Sequence, residues 1–152
     1  MKLAQSLALI ITGSASFFIP FALANLHIAM VVDQKNQSVL IACASSNYNC
    51  DCFQKGNGAA EVSLGGMQVS SLPESAFTVE SGLCGSRLPN LKYNFYYNQR
   101  NGNWDFYKKD GDGKSLGTCY YSNTAGASLS CSITYVYDQL VCYTNICSHS
   151  NA

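Results

Sequence analysis

Leu91 to Lys109 reads LKYNFYYNQRNGNWDFYKK and holds seven aromatic residues, among them the single tryptophan, Trp104. Asn-Gly is favoured at the centre of a type I′ hairpin turn because both central residues take positive φ. The stretch therefore predicts a β-hairpin closed at Asn101-Gly102, with Tyr96 opposite Tyr107 and Asn98 opposite Asp105. Successive strand side chains point to opposite faces. Leu91, Tyr93, Phe95, Tyr97, Trp104 and Phe106 fall on one face, which is expected to be core. Lys92, Asn94, Tyr96, Asn98, Asp105, Tyr107 and Lys109 fall on the other, polar apart from the tyrosine pair.

Further strands are expected on both sides of this hairpin. Leu26, Ile28, Met30 and Val32 alternate before a polar loop at Asp33 to Gln37, and Ser38 to Cys43 resumes an apolar run, which predicts a second hairpin. Short strands are expected near Glu61 to Leu64, Met67 to Leu72 and Ala76 to Glu80, and loop composition covers Ser45 to Gly58. After the central hairpin, Asp110-Gly111-Asp112-Gly113 reads as a tight turn. An EF-hand would want an acidic or amide ligand at the fifth position and a glutamate at the twelfth, where Lys114 and Tyr121 stand. Ser115 to Tyr121 predicts a strand. Leu129, Cys131, Ile133, Tyr135 and Tyr137 then alternate with polar residues, the pattern of a strand with one wet and one buried face. The expected fold is all-β, an antiparallel sandwich or small barrel.

The first 24 residues are expected to lie outside that fold. Lys2 precedes an apolar run from Leu3 to Leu23, interrupted by Gly13 and Pro20, and Ala22-Leu23-Ala24 supplies the small residues of a signal-peptidase site. Helix breakers and the A-x-A ending favour a removed signal peptide over a membrane anchor, although the run approaches the roughly 20 residues that span a bilayer. Cleavage after Ala24 takes 24 of the 152 residues and leaves residues 25–152, a single disulfide-rich β domain of 128 residues. Eight cations then face nine carboxylates, a net charge of −1. Nucleic acid and anionic membranes both call for a concentrated positive field, so neither is the expected partner. No stable membrane insertion is expected after signal removal, and the secreted chain is expected to be a monomer without a cofactor.

All eight cysteines, Cys43, Cys50, Cys52, Cys84, Cys119, Cys131, Cys142 and Cys147, follow the signal. An even count in a secreted chain implies a disulfide framework, with 105 connectivities open to eight cysteines. Their spacings are not paired C-x2-C zinc knuckles. Cys50 and Cys52 point the same way on extended chain and are poorly placed to bridge each other, so they should tie their loop to two different places. If the loop at Ser122 to Ala127 closes symmetrically, Cys119 lies opposite Cys131, the best single pairing to expect. Cys142 and Cys147 are expected to pin the C-terminal tail. Asn36-Gln37-Ser38 is the one N-glycosylation sequon and falls in the first hairpin loop.

Chemistry-bearing residues are sparse. Nucleophilic catalysis of the Ser-His-Asp kind needs a histidine held beside the nucleophile. The two histidines, His27 and His149, sit near the two ends of the mature chain, and His27 is expected on a polar strand face. Tyrosine is the unusual component: nine of ten lie between Tyr93 and Tyr143. Its rigid ring and polar tip suit interfaces and sugar-facing platforms, and also ordinary packing between strands.

In its signal, size, eight cysteines and low charge, the chain resembles the small secreted cysteine-rich proteins of filamentous fungi. That resemblance implies release from the cell and action as an effector on a host. Joined to the tyrosine pair, it leads to an expected role in binding a host protein or a glycan, with Tyr96, Tyr107, Asn94, Asn98 and Asp105 as the contact set and no catalytic residue. The other classes open are a secreted toxin or antimicrobial protein and a small hydrolase or ribonuclease.

Overall fold

The computed structural model describes residues 24–55, 59–63, 72, 75–80, 92–144 and 146. The signal segment up to residue 23, Cys84, Cys147, His149 and, apart from Leu72, the strand expected at Met67 to Leu72 lie outside the described residues.

The described residues form nine strands: β1 (Ala24–Asp33), β2 (Ser38–Ala44), β3 (Ala59–Ser63), β4 (Ala76–Val79), β5 (Tyr93–Asn98), β6 (Asn103–Lys108), β7 (Ser115–Tyr121), β8 (Leu129–Cys131) and β9 (Thr134–Thr144). Sequence neighbours pair from β1 to β7, β7 pairs with β9, and β9 returns to pair with β1. Every pairing is antiparallel. The sheet therefore curls into a barrel, and β8 is a short strand laid beside the first residues of β9. Closing the sheet in this way removes the exposed edges that an open sheet of the same strands would carry.

The central hairpin forms with the expected faces and a different register. Tyr97 pairs with Trp104, Tyr96 with Asp105 and Asn94 with Tyr107. Of the two turn residues, only Gly102 takes positive φ, at 66°, so the turn is not type I′. Instead the Asn98 carbonyl accepts from the amides of both Asn101 (3.1 Å) and Gly102 (2.9 Å), and residues 99–102 form a four-residue loop. Shifting the register by two residues leaves each side chain on its original face. Tyr93, Phe95, Trp104 and Phe106 are accordingly buried, as the alternation predicts.

These rings organise the barrel interior. Phe77 on β4, Phe95 on β5 and Phe106 on β6 are direct partners in one row. They stack nearly parallel, with centroids 4.7 Å apart at both steps. Trp104 leans on Phe77 at 5.0 Å and Tyr93 meets Phe106 edge-on at 6.3 Å. The next position along the row is Gly117 on β7. A Cβ there would stand 2.8 Å from the Phe106 ring and 2.9 Å from the Thr144 Cβ, and would strike the Tyr143 carbonyl. Only glycine lets the stack close against β7 while β9 pairs along its other edge.

The last part of the chain departs from the expected single strand. It reverses at Ser132 and Ile133, where Ser132 takes a φ of 42° and Cys131 comes opposite Thr134. Across a two-residue turn the parity of the buried face switches from odd to even positions. Ile133 and Tyr135, expected inside, are 58% and 52% exposed, and Val136 is buried instead. A second switch follows within β9. Ile28 pairs with Leu140 but Ala29 with Asp138, so Gln139 is an extra, bulged residue. Leu140 and Cys142 beyond it join the interior, whereas Val136 before it joins a separate outer cluster with Ala29, Val31, Cys43, Phe53 and Cys131.

Gly117→Ala is expected to lower unfolding free energy by about 3 kcal/mol, the upper end for overpacking because two of the three obstructing groups belong to the neighbouring strand. Exposed Thr124→Ala should stay within about 0.5 kcal/mol. Denaturant titrations of the two variants check the contrast.

Candidate functional site

Two different coats cover the outside of this barrel. The first is a lid over β1, β2, β8 and β9. Residues 45–58 were expected to be loop, but they contain a 3-10 turn, Ser45–Asn47, and a short helix, α1 (Cys50–Lys55). Asn49 caps the helix by accepting from the Cys52 amide at 3.0 Å. Cys50 bridges to Cys131 and Cys52 to Cys43. The C-x-C pair does reach two different places, from a helix and not from extended chain. Gln54 adds a third tie, donating to the Cys131 carbonyl at 2.6 Å.

The expected Cys119–Cys131 pairing is therefore wrong. Cys119 is bridged to Cys142, its direct partner across β7 and β9. The chain reverses once more than the alternation suggests, so β9, not the strand carrying Cys131, lies beside Cys119. Cys142 is accordingly part of the barrel wall, not a pin on the tail.

Under the lid edge sits His27. It lies on the outer face of β1, as expected, but it is covered. Its Nδ1 meets Asp138 Oδ2 at 3.0 Å, and its ring packs on Tyr48 with centroids 4.5 Å apart. The other Asp138 oxygen, Oδ1, is buried with no hydrogen-bond partner among the described residues. Tyr48 donates to Ser128, 2.5 Å away, and Ser128 donates to the Val136 carbonyl at 3.0 Å. Burial, and after it the Asp138 charge, hold the Tyr48 hydroxyl above the usual phenol range. The Tyr48 and Ser128 hydroxyls thus form a chain that ends on a backbone carbonyl, and the group fastens the lid to the wall. Among the described residues, no three His, Cys, Asp or Glu side chains gather as a metal site.

The second coat is open to solvent and made of tyrosine. On the outer face of β5 and β6, Tyr96 and Tyr107 stand with ring centroids 5.9 Å apart, a diagonal neighbour pair and not the directly opposed pair expected. Asp105 lies between them and the next strand. Its Oδ2 accepts from Asn98 at 3.2 Å and its Oδ1 from Thr118 at 3.0 Å. Asn94 accepts from Thr78 at 3.0 Å. All five expected contact residues share this face. Asp105 and Asn94 are engaged by neighbours that hold the frame, which leaves Tyr96, 48% exposed, as the most available of the set.

The tyrosine coat continues where sequence reasoning did not place it. Thr118 pairs with both Asp105 and Tyr143, and Tyr120 with Val141, so β7 and β9 extend the same outer face. Tyr120 and Tyr143 are 49% and 41% exposed, with centroids again 5.9 Å apart. An open depression of about 610 Å³ lies here, lined by Tyr120, Tyr121, Tyr143, Val141 and the hydroxyl-bearing Ser122 and Thr124. A second of about 480 Å³ lies beside Tyr96, lined by Ser63, Thr78, Asn94 and Lys109 among others. The signal that could have found the second pair was the Tyr120-Tyr121 dipeptide beside Cys119, once Cys142 and Tyr143 were known to be its neighbours.

No protein-family model matches the chain, and neither a curated protein nor a solved structure matches it. Among the described residues, no helix is long and apolar enough to cross a membrane.

Peptide mapping of the oxidised protein should recover Cys43–Cys52, Cys50–Cys131 and Cys119–Cys142 as linked pairs; a Cys119–Cys131 peptide would contradict the strand order itself. A second expectation concerns alkaline pH. Burial raises Tyr93 as it does Tyr48, so both hold their protons more tightly folded than unfolded. Their contribution to stability is complete below the ordinary phenol value of 10.0 and is lost as pH climbs through the folded values. Denaturation midpoints measured from neutral to strongly alkaline pH should fall on that limb.

Proposed function

We propose that this chain is a secreted, effector-like binding protein of the kind filamentous fungi release, and that it engages a host protein or a glycan through the outer tyrosine face. The observation that carries this reading is the Tyr96–Tyr107 pair, held in a polar frame on a rigid sheet. Large rings with polar tips provide contact area at low entropic cost, and a scaffold of strands fixes their positions better than a loop does. Release from the cell is supported by the bridges, which persist in oxidising compartments.

Among the described residues, a histidine-dependent hydrolase would use His27 with Asp138. Those side chains are only 17% and 7% exposed beneath the lid, and the hydroxyls around them are committed to each other and to the backbone. Binding is the better account.

The test is capture by the purified, oxidised chain of host extract proteins and of insoluble polysaccharides, compared with Tyr96→Ala/Tyr107→Ala. Each ring is worth roughly 0.5–1.5 kcal/mol in a contact, so the double variant should weaken capture by about fivefold to 150-fold with an unchanged melting curve. Undiminished capture by a folded double variant removes this face as the binding surface.

A further inference from the structure

The tyrosine face has two centres, and their arrangement says more about the ligand than either does alone. Tyr96, Asp105, Thr118 and Tyr143 are consecutive partners in one row across β5, β6, β7 and β9. Three inter-strand steps separate the two end tyrosines, about 14 Å at ordinary strand spacing. Each end has its own tyrosine pair at the same 5.9 Å and its own open depression. Between them lie the Asp105 carboxylate and the Thr118 hydroxyl, which already hydrogen-bond each other.

Charge narrows the partner. Along this row the one ionised group is Asp105, held by Thr118 and Asn98, and the cation Lys109 stands at the rim of the smaller depression. A polyanion finds no positive field here, and a polycation finds no acidic cluster. Arginine, which joins tyrosine and tryptophan at the centres of protein interfaces, lines neither depression among the described residues. What the surface does offer is flat rings beside hydroxyl and amide groups, in two patches too far apart for one or two sugar units. This is the complement of a pyranose chain, whose units present a C–H face and a rim of hydroxyls.

Resting on the reading of this face as the binding surface, we infer that the ligand is an unbranched, neutral polysaccharide lying across the strands. One sugar stacks in the Tyr96–Tyr107 subsite and another in the Tyr120–Tyr143 subsite. Short fragments fill one subsite. Longer ones fill both, and the second contact forms at the high effective concentration set by the first.

Calorimetry of the intact oxidised chain with two linear series, β-linked glucose and β-linked N-acetylglucosamine, from disaccharide to octasaccharide, tests this. For at least one series affinity should climb about tenfold or more with length and then level off. In Tyr120→Ala/Tyr143→Ala, whose replaced side chains are exposed, the climb should disappear while disaccharide affinity stays. Tyr120→Phe/Tyr143→Phe, which keeps the rings, should restore the climb. An unaltered climb in the alanine variant, with an unchanged melting curve, overturns the second subsite and leaves the hairpin face standing. If no sugar binds but a host protein is captured in a manner that needs Tyr96 and Tyr107, the polysaccharide is overturned and the binding face survives. Absence of both kinds of capture overturns both.

Discussion

The closed sheet depends on one contact, the Phe106 ring laid over Gly117. Three phenylalanines in a row across β4, β5 and β6 make a slab that is flat on both sides, and a flat slab needs a neighbour with no side chain in its way. Gly117 supplies that neighbour. Because nothing projects from it, β9 can lie close beside β7 on the other side from β6, and the Tyr143 carbonyl and Thr144 side chain occupy the space that a Cβ would claim. β9 then reaches β1 and the ring of pairings is complete. An alanine would push against strand backbone on one side and a stacked ring on the other, neither of which is free to yield.

With the interior closed, β9 serves both coats. Its bulge at Gln139 turns Val136 and Asp138 toward the lid and Leu140 and Cys142 toward the core. The lid is fastened chiefly by covalent means. In the chain-entropy account, Cys50–Cys131, with its separation of 81 residues, contributes about 4 to 5 kcal/mol, and Cys43–Cys52, with a separation of nine, about 2 to 3. A six-residue helix has no stability of its own at that length, so these bridges and Gln54 keep it in place.

How much of this was legible in the sequence follows from what each signal encodes. Alternation encodes the face of a strand, and the faces of β5 and β6 were read correctly even though the register was off by two, because two is the period of the pattern. A two-residue turn breaks that logic without leaving a mark: Leu129 to Tyr137 alternates without interruption in sequence, yet the chain reverses in its middle. Misplacing that reversal also misplaced Cys119. Asn-Gly announced a turn at the right place, but the four-residue loop uses only the glycine's conformational freedom. His27 and Asp138 are 111 positions apart and had no local signature at all. The outer hairpin face was legible. Its continuation onto β7 and β9 was not, because it exists only through strand order.

The buried Cys119–Cys142 bridge sits directly behind the second tyrosine pair. Each cysteine points inward from a position beside a tyrosine that points outward, Tyr120 next to Cys119 and Tyr143 next to Cys142. The two outward rings are therefore mounted on backbones that are riveted together from the back. Local opening that would let neighbouring strands drift apart is blocked at that spot, and whatever settles on the rings meets a surface that cannot spread. Reduction would act on the platform from underneath, leaving every ring in place and removing the stiffness that sets their spacing.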